Sequence, residues 1–166
     1  VNKMNHLDPS TILQTVIETG QAKSNGTWKK LFLLGILAGA YIAFAGIASN
    51  ASAFNLLFDT ETYGVGKVLS GTIFTGGLIM VVLAGGELFT GNTLILTSVL
   101  DRKVTLGRML RNWGIVYIAN FIGAVLIAFL VSQTGLFTGG DGLLGAFTLK
   151  TAVGKVNLSF THCFIT

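Results

Sequence analysis

Long apolar stretches separated by short polar segments dominate the sequence. Residues 31–58 and 112–140 contain no Asp, Glu, Lys or Arg, and residues 68–100 contain only one of these, Glu87. A helix needs about 20 apolar residues to cross roughly 30 Å of hydrocarbon. The pattern therefore predicts an all-α, multi-pass membrane protein. The predicted spans are 31–53, 68–100 and 113–133.

Composition changes this picture little, but it excludes other classes of protein. Hydrophobic residues make up 51% of the 166-residue chain and charged residues only 11%, whereas a soluble domain carries about 25% charged residues. The net charge of +4 does not indicate nucleic-acid binding, because the basic residues cluster beside the spans. The single cysteine, Cys163, supports neither a disulfide framework nor a metal site.

The basic residues predict how the chain crosses the membrane. Segment 1–30 has four Lys, segment 54–67 has one, segment 101–112 has four Lys and Arg, and segment 134–155 has two Lys. Cytoplasmic segments carry the excess of Lys and Arg. In a cell (inner) membrane, we therefore expect a cytoplasmic N-terminus with an amphipathic helix over 9–23, and an external connection over 134–155 with a short helix near Leu143–Val153. Residues 156–166 are expected to begin a fourth transmembrane helix that the chain leaves incomplete.

The second apolar stretch is too long for one helix. Its residues, 68–100, would extend about 50 Å as a continuous helix, well beyond the hydrocarbon thickness. Its centre is rich in glycine and polar residues, which favour a break. We predict half-helices over 68–83 and 92–100, joined by a loop at membrane depth of the kind that marks substrate sites in transporters. The alternative is an ordinary span that ends near Ala84 and continues as a re-entrant or interfacial loop. The loop residues are Gly85, Gly86, Glu87, Gly91 and Asn92.

Four blocks of sequence, in this order, resemble the formate/nitrite transporter family. The blocks are Phe74 with Leu78; Gly86-Glu87-Leu88-Phe89-Thr90-Gly91-Asn92-Thr93; Asn112-Trp113 with Val116-Tyr117, Asn120 and Gly123-Ala124; and Thr151-Ala152 with Lys155-Val156 and Phe160. The resemblance implies an aquaporin-like fold of six spans in two inverted repeats, a homopentamer and no cofactor. Residues 31–133 would form the first three-helix repeat. The pore histidine of the family is not expected within this chain, and His162 should not be mistaken for it.

The resemblance also implies a substrate path. Phe74, Leu78, Leu88 and Phe89 would form apolar constrictions, which exclude hydrated ions. Phe74 and Leu78 lie one helical turn apart, and without the resemblance they are better explained by packing. Thr90 would offer a hydroxyl that can donate or accept a hydrogen bond, or would cap the following half-helix.

Lys155 and Glu87 are expected to act on an anion in opposite ways, one by attraction and the other by repulsion. Lys155 would concentrate anions at the external entrance, unless it is an ordinary lysine beside a helix. Glu87 would repel an anion from the path, so we expect it to have a structural role, paired with a cytoplasmic Arg or Lys or bonded to loop N–H groups.

The expected function is a channel or transporter for a small monovalent weak-acid anion of the formate, nitrite or hydrosulfide type. No catalytic residue is expected, and the lipid bilayer is the expected surrounding. One alternative is a membrane subunit of a redox enzyme, although His6 and His162 lie outside the three complete spans. Another is an aquaporin-like channel for neutral solutes, although the chain has a single proline and no Asn-Pro-Ala loops.

Overall fold

The structure is a computed structural model that describes residues 8–165. The predicted N-terminal segment is therefore described from Asp8 onward, and His6 and Thr166 lie outside the described residues. Every regular element of the described chain is helical. The elements are α1 (Pro9–Ser24), α2 (Trp28–Ala53), α3 (Tyr63–Leu83), α4 (Phe89–Asn92), α5 (Ile95–Leu100), α6 (Leu106–Ser132), a 3₁₀ turn (Leu136–Thr138), α7 (Leu143–Val156) and α8 (Phe160–Ile165).

Three helices are long and apolar enough to span a membrane: α2 with 26 residues, α3 with 21 and α6 with 27. This confirms the prediction of an all-α, multi-pass membrane protein. Helices α2, α3 and α6 begin at Trp28, Tyr63 and Leu106, earlier than the predicted 31, 68 and 113. The prediction placed each start after the last charged residue, but a helix continues beyond the hydrocarbon as long as its charged side chains reach water. Lys30 and Arg111 are exposed residues of this kind.

The chain divides into two compact units. The first unit combines the chain up to Ala40 with Val81–Ala124, and the second combines Tyr41–Met80 with the chain from Val125. Each unit therefore contains parts of α2, α3 and α6. The first unit also contains α1, α4 and α5, and the second contains α7 and α8. They are described separately below.

In the first unit, α2 and α6 approach each other closely through glycine. A Cβ atom on Gly39 would collide with the backbone of Asn120, and one on Gly123 would collide with the carbonyl of Ile36. Small residues allow helices to pack backbone to backbone in lipid, where apolar burial gives little driving force. Contact at this distance requires glycine at both positions.

Helix α1 packs on α5 within the same unit. Ser98 Oγ donates a 2.8 Å hydrogen bond to the Ile17 carbonyl, and Gly20 leaves room for the Ser98 side chain. Asp8 caps α1 by accepting a 2.8 Å hydrogen bond from the Thr11 N–H. Hydrogen bonds from Thr11, and then from Ser10, lower the pKa of Asp8 because they stabilise its carboxylate. The amphipathic segment predicted over 9–23 is thus a capped helix docked on the protein.

In the second unit, α2 and α3 contact each other through small and polar side chains. Gly77 faces Ala45, and the Ser49 and Ser70 hydroxyl oxygens lie 2.6 Å apart. Helix α7 joins this unit through an edge-to-face contact of Phe147 with the Phe58 ring. Helix α7 extends to Val156, so the next helix, α8, begins at Phe160 and not at the predicted residue 156.

Candidate functional site

The second apolar stretch is interrupted where its glycines cluster. Helix α3 ends at Leu83, and Gly85 adopts a left-handed conformation with φ of 64°. The Gly85 N–H donates to the Val82 carbonyl at 3.2 Å, and the Gly86 N–H donates to the Val81 carbonyl at 2.8 Å. These two bonds form a Schellman motif, which terminates a helix and requires a residue that tolerates positive φ. Helical structure resumes only at Phe89.

The interrupted segment lies against α2. The Glu87 N–H donates to the Leu34 carbonyl at 3.2 Å, and Gly86 sits beside Ala38 so closely that a Cβ would come within 3.1 Å of its methyl group. The second half of the stretch is not the single helix predicted over 92–100. It consists of two short helices, α4 and α5, because Thr93 and Leu94 form a turn between them.

Asn120, on α6, fixes the backbone on both sides of Leu88. Its Oδ1 accepts the Phe89 N–H at 2.8 Å. Its Nδ2 donates to the Glu87 carbonyl and to the Gly35 carbonyl, both at 2.8 Å. Helix α4 has no side-chain cap from its own N-cap residue, Leu88, so Asn120 supplies the acceptor that a capping side chain normally provides. One amide group thereby joins α2, the loop and α4 to α6.

The Glu87 carboxylate is neutralised inside the first unit. Lys23 Nζ lies 2.8 Å from Glu87 Oε2 and donates to Asn92 Oδ1 at 3.0 Å. Asn92 Nδ2 donates to Glu87 Oε2 at 2.8 Å and to Asn112 Oδ1 at 2.9 Å. Glu87 is 8% exposed, and Asn92 and Asn112 are fully buried. A buried carboxylate requires such a partner and hydrogen bonds. The loop therefore presents no uncompensated negative charge.

The side chains that follow Glu87 differ in their surroundings. The Phe89 ring makes edge-to-face contacts with Trp113 at 5.9 Å and Tyr117 at 5.3 Å between ring centroids. Leu88 is partly buried, whereas Thr90 is exposed within the first turn of α4. Thr90 is thus not the cap of this helix. Leu88, Phe89 and Thr90 lie in one short segment whose backbone the neighbouring helices hold.

The other residues assigned to a substrate path lie in the second unit. Phe74 and Leu78 share one face of α3 and are 43% and 49% exposed. Lys155 is exposed in the last turn of α7, where a cation also compensates the negative end of the helix dipole. The place of Phe74, Leu78 and Lys155 in a substrate path stays a prediction.

Sequence reasoning did not identify several residues that hold the loop. The sequence predicts Lys23 only as one of four cytoplasmic cations, and Asn112 and Trp113 only as part of a family block. Trp113 Nε1 donates to the Asn92 carbonyl at 2.8 Å. Adjacent Asn112 and Trp113 at the end of a basic segment indicate a polar role, but the sequence does not identify their hydrogen-bond partners. Within residues 8–165, no group of His, Cys, Asp or Glu could hold a metal ion.

Over the described residues the chain is all-helical, and three of its helices are long and apolar enough to span a membrane. These features define a multi-pass α-helical membrane protein. The sequence model described as formate/nitrite transporter matches residues 10–166. The chain belongs to the formate/nitrite transporter family, which is a family of transport proteins.

Curated relatives cover nearly the whole chain. It is 38% identical to a formate channel of Bacillus thuringiensis over 95% of its own length and 60% of that protein. It is 34% identical to a formate channel of Haemophilus influenzae, over 93% of this chain and 56% of the relative. For a formate channel of Escherichia coli the identity is 31%, over 96% of this chain and 55% of the relative. The chain thus spans between 55% and 60% of the length of these relatives.

Proposed function

We propose that this chain forms part of a channel for a small monovalent weak-acid anion, with formate as the first candidate substrate. The observation that carries the proposal is the similarity to relatives named formate channels, which extends over 93–96% of the chain. We extend the proposal to an aquaporin-like inverted repeat, a homopentamer, and a cell (inner) membrane location with the N-terminus in the cytoplasm. Nitrite and hydrosulfide are alternative substrates of the same chemical class.

The proposed constriction is the segment Leu88–Thr90. A narrow apolar ring excludes hydrated ions because water leaves it. Leu88 and Phe89 provide apolar side chains, and Thr90 provides an exposed hydroxyl beside them. The Asn120 hydrogen bonds at 2.8 Å hold the backbone on both sides of Leu88, which supports a constriction of fixed width.

Passage is proposed to involve the neutral acid at the narrowest point. A bare anion that loses its hydration shell in an apolar constriction pays a large desolvation penalty, whereas its conjugate acid pays far less. Lys155 would attract the anion from solution, and a proton would join it before the constriction. The Lys23–Glu87 ion pair, with 2.8 Å between its charged atoms, removes a fixed negative charge that would repel the anion as it approaches the constriction.

Formate uptake by the full-length protein tests the proposal. Proteoliposomes that enclose a pH-sensitive dye should acidify in their lumen when formate is added outside, and faster at lower external pH because more of the solute is formic acid. Lipid vesicles without protein provide the control for passive diffusion. Formate, nitrite and hydrosulfide fluxes equal to those of empty vesicles, from protein that remains folded and pentameric, would contradict the proposed function.

A further inference from the structure

The turn between α1 and α2 gathers positive charge from two distant parts of the sequence. Arg108 Nη1 donates to Asn25 Oδ1 at 3.1 Å, and Arg111 Nη1 donates to the Gly26 carbonyl at 3.4 Å. Lys30 and Gly26 line one recess of about 180 Å³, at whose wall the Glu87 carboxylate is neutralised by its ion pair with Lys23. We name Asn25, Gly26, Lys30, Arg108 and Arg111 the basic turn. All five belong to the first unit.

Lys30, Arg108 and Arg111 supply the positive charge of the basic turn. Over residues 8–165, no carboxylate lies within 4.0 Å of Lys30, Arg108 or Arg111, whereas Lys23 pairs with Glu87 and Lys103 pairs with Asp101. A guanidinium has five N–H donors in a fork that suits phosphate oxygens. Each arginine uses one nitrogen on the turn itself, so donors remain for an external anion.

The surface beside the basic turn carries exposed apolar side chains, whereas the surface of a soluble protein would carry polar ones there. Leu33 lies one helical turn beyond Lys30 and is 67% exposed, and Leu110 precedes Arg111 and is 52% exposed. Trp28, at the start of α2, is 57% exposed, and tryptophan is enriched at the level of lipid headgroups. A small soluble anion gains nothing from contact with these apolar side chains, whereas the acyl chain of a phospholipid can pack against them.

We propose that the basic turn binds the phosphate headgroup of an anionic phospholipid, with the acyl chains along the exposed apolar side chains of α2 and α6. Basic pockets between transmembrane helices are suited to anionic headgroups. Lys30 and the two arginines contact the phosphate, and the recess of about 180 Å³ accepts the polar part of the headgroup. Because Arg108 and Arg111 belong to α6 and Asn25 and Gly26 follow α1, the lipid joins the ends of three helices. The site does not depend on what the protein transports.

Native mass spectrometry of the full-length protein tests this site. The protein is reconstituted in equal amounts of phosphatidylglycerol and phosphatidylcholine, and the lipids that it retains are counted. We expect the parent to retain phosphatidylglycerol preferentially. The Lys30→Gln/Arg111→Gln variant should lose that preference about tenfold, because each basic residue near an anionic headgroup contributes attraction. The matched control, Lys67→Gln/Lys150→Gln, removes the same amount of charge from the second unit and should retain the preference for phosphatidylglycerol.

A charge-conserving variant separates headgroup binding from damage to the fold. Lys30→Arg/Arg111→Lys should keep the preference for phosphatidylglycerol. Equal loss in this variant, or an unchanged preference in the neutral variant, would overturn the proposal. Displacement of the bound phosphatidylglycerol by millimolar formate would also overturn it, since the basic turn would then belong to the substrate path.

Discussion

At the scale of single residues, the interrupted helix depends on side chains distant in sequence. Glu87 alone would be a buried negative charge, and the Phe89 N–H alone would be an unsatisfied donor at the start of α4. Lys23 neutralises the Glu87 carboxylate, and the Asn120 side-chain amide accepts the hydrogen bond of the Phe89 N–H. Buried polar groups that are fully satisfied give rigidity and specificity, whereas partly satisfied ones destabilise.

The Asn120→Leu variant should therefore affect both stability and selectivity. It leaves the Phe89 N–H and the Glu87 carbonyl without their partner, and each unsatisfied buried group costs about 1–3 kcal/mol. We expect a lower melting temperature in detergent and a smaller formate-to-chloride flux ratio. Asn50→Leu is the matched control, since Asn50 donates one hydrogen bond to Thr148 at 3.3 Å. If Asn120→Leu and Asn50→Leu behave alike in both measurements, Asn120 does not position the loop.

Lys155 allows a sharp test of electrostatic attraction. If it concentrates anions, Lys155→Glu should reduce initial formate uptake several-fold at low substrate concentration, and Lys155→Gln should give an intermediate rate. High salt should reduce the difference, because the Debye length falls from about 10 Å at 0.1 M to about 3 Å at 1 M. Vesicles must contain matched amounts of protein. Uptake by Lys155→Glu that equals the parent at low salt would leave Lys155 as a helix-terminal lysine only.

At the scale of elements, the crossing of α2 and α6 determines whether Asn120 can reach its partners. At Gly39, an added Cβ would lie 2.7 Å from Asn120 backbone carbon atoms, whereas at Gly46 it would meet nothing within 4 Å. The Asn120 backbone cannot rotate away from an added Cβ as a flexible side chain could. The Asn120 amide reaches the Gly35 carbonyl at 2.8 Å only because these two helices are so close.

The pair Gly39→Ala and Gly46→Ala isolates this close contact. Both changes replace glycine by a better helix former, worth up to about 1 kcal/mol in a helix interior. Gly39→Ala should nevertheless destabilise the protein by about 1–3 kcal/mol, the usual range for overpacking, while Gly46→Ala should be neutral or stabilising. Thermal unfolding in detergent, followed by circular dichroism, measures both. A Gly39→Ala protein as stable as Gly46→Ala would show that the helices do not cross at Gly39.

At the scale of the whole molecule, the features that the sequence predicted are local ones. Span length and the glycine cluster are properties of contiguous residues, so the end of α3 at Leu83 agrees with the prediction. The turn that separates α4 from α5 was missed, because a polar threonine followed by leucine is compatible with a continuing helix. Lys23 is 64 residues from Glu87 and Asn120 is 31 from Phe89. Those pairings depend on tertiary packing, which no local pattern contains.

The central claim is that the interrupted segment forms a selective apolar constriction for a weak acid. The most direct measurement is the ratio of formate to chloride flux through proteoliposomes of the full-length protein, for the parent, Leu88→Ala and Phe89→Ala. Leu83→Ala and Phe129→Ala are matched controls, since these side chains are 82% and 61% exposed and were assigned no part in the path. We predict that the ratio falls several-fold in Leu88→Ala and Phe89→Ala, as the wider pore stays wetted and admits chloride, and that it stays unchanged in the controls. An unchanged ratio in both loop variants, with intact folding and normal formate flux, would contradict the account.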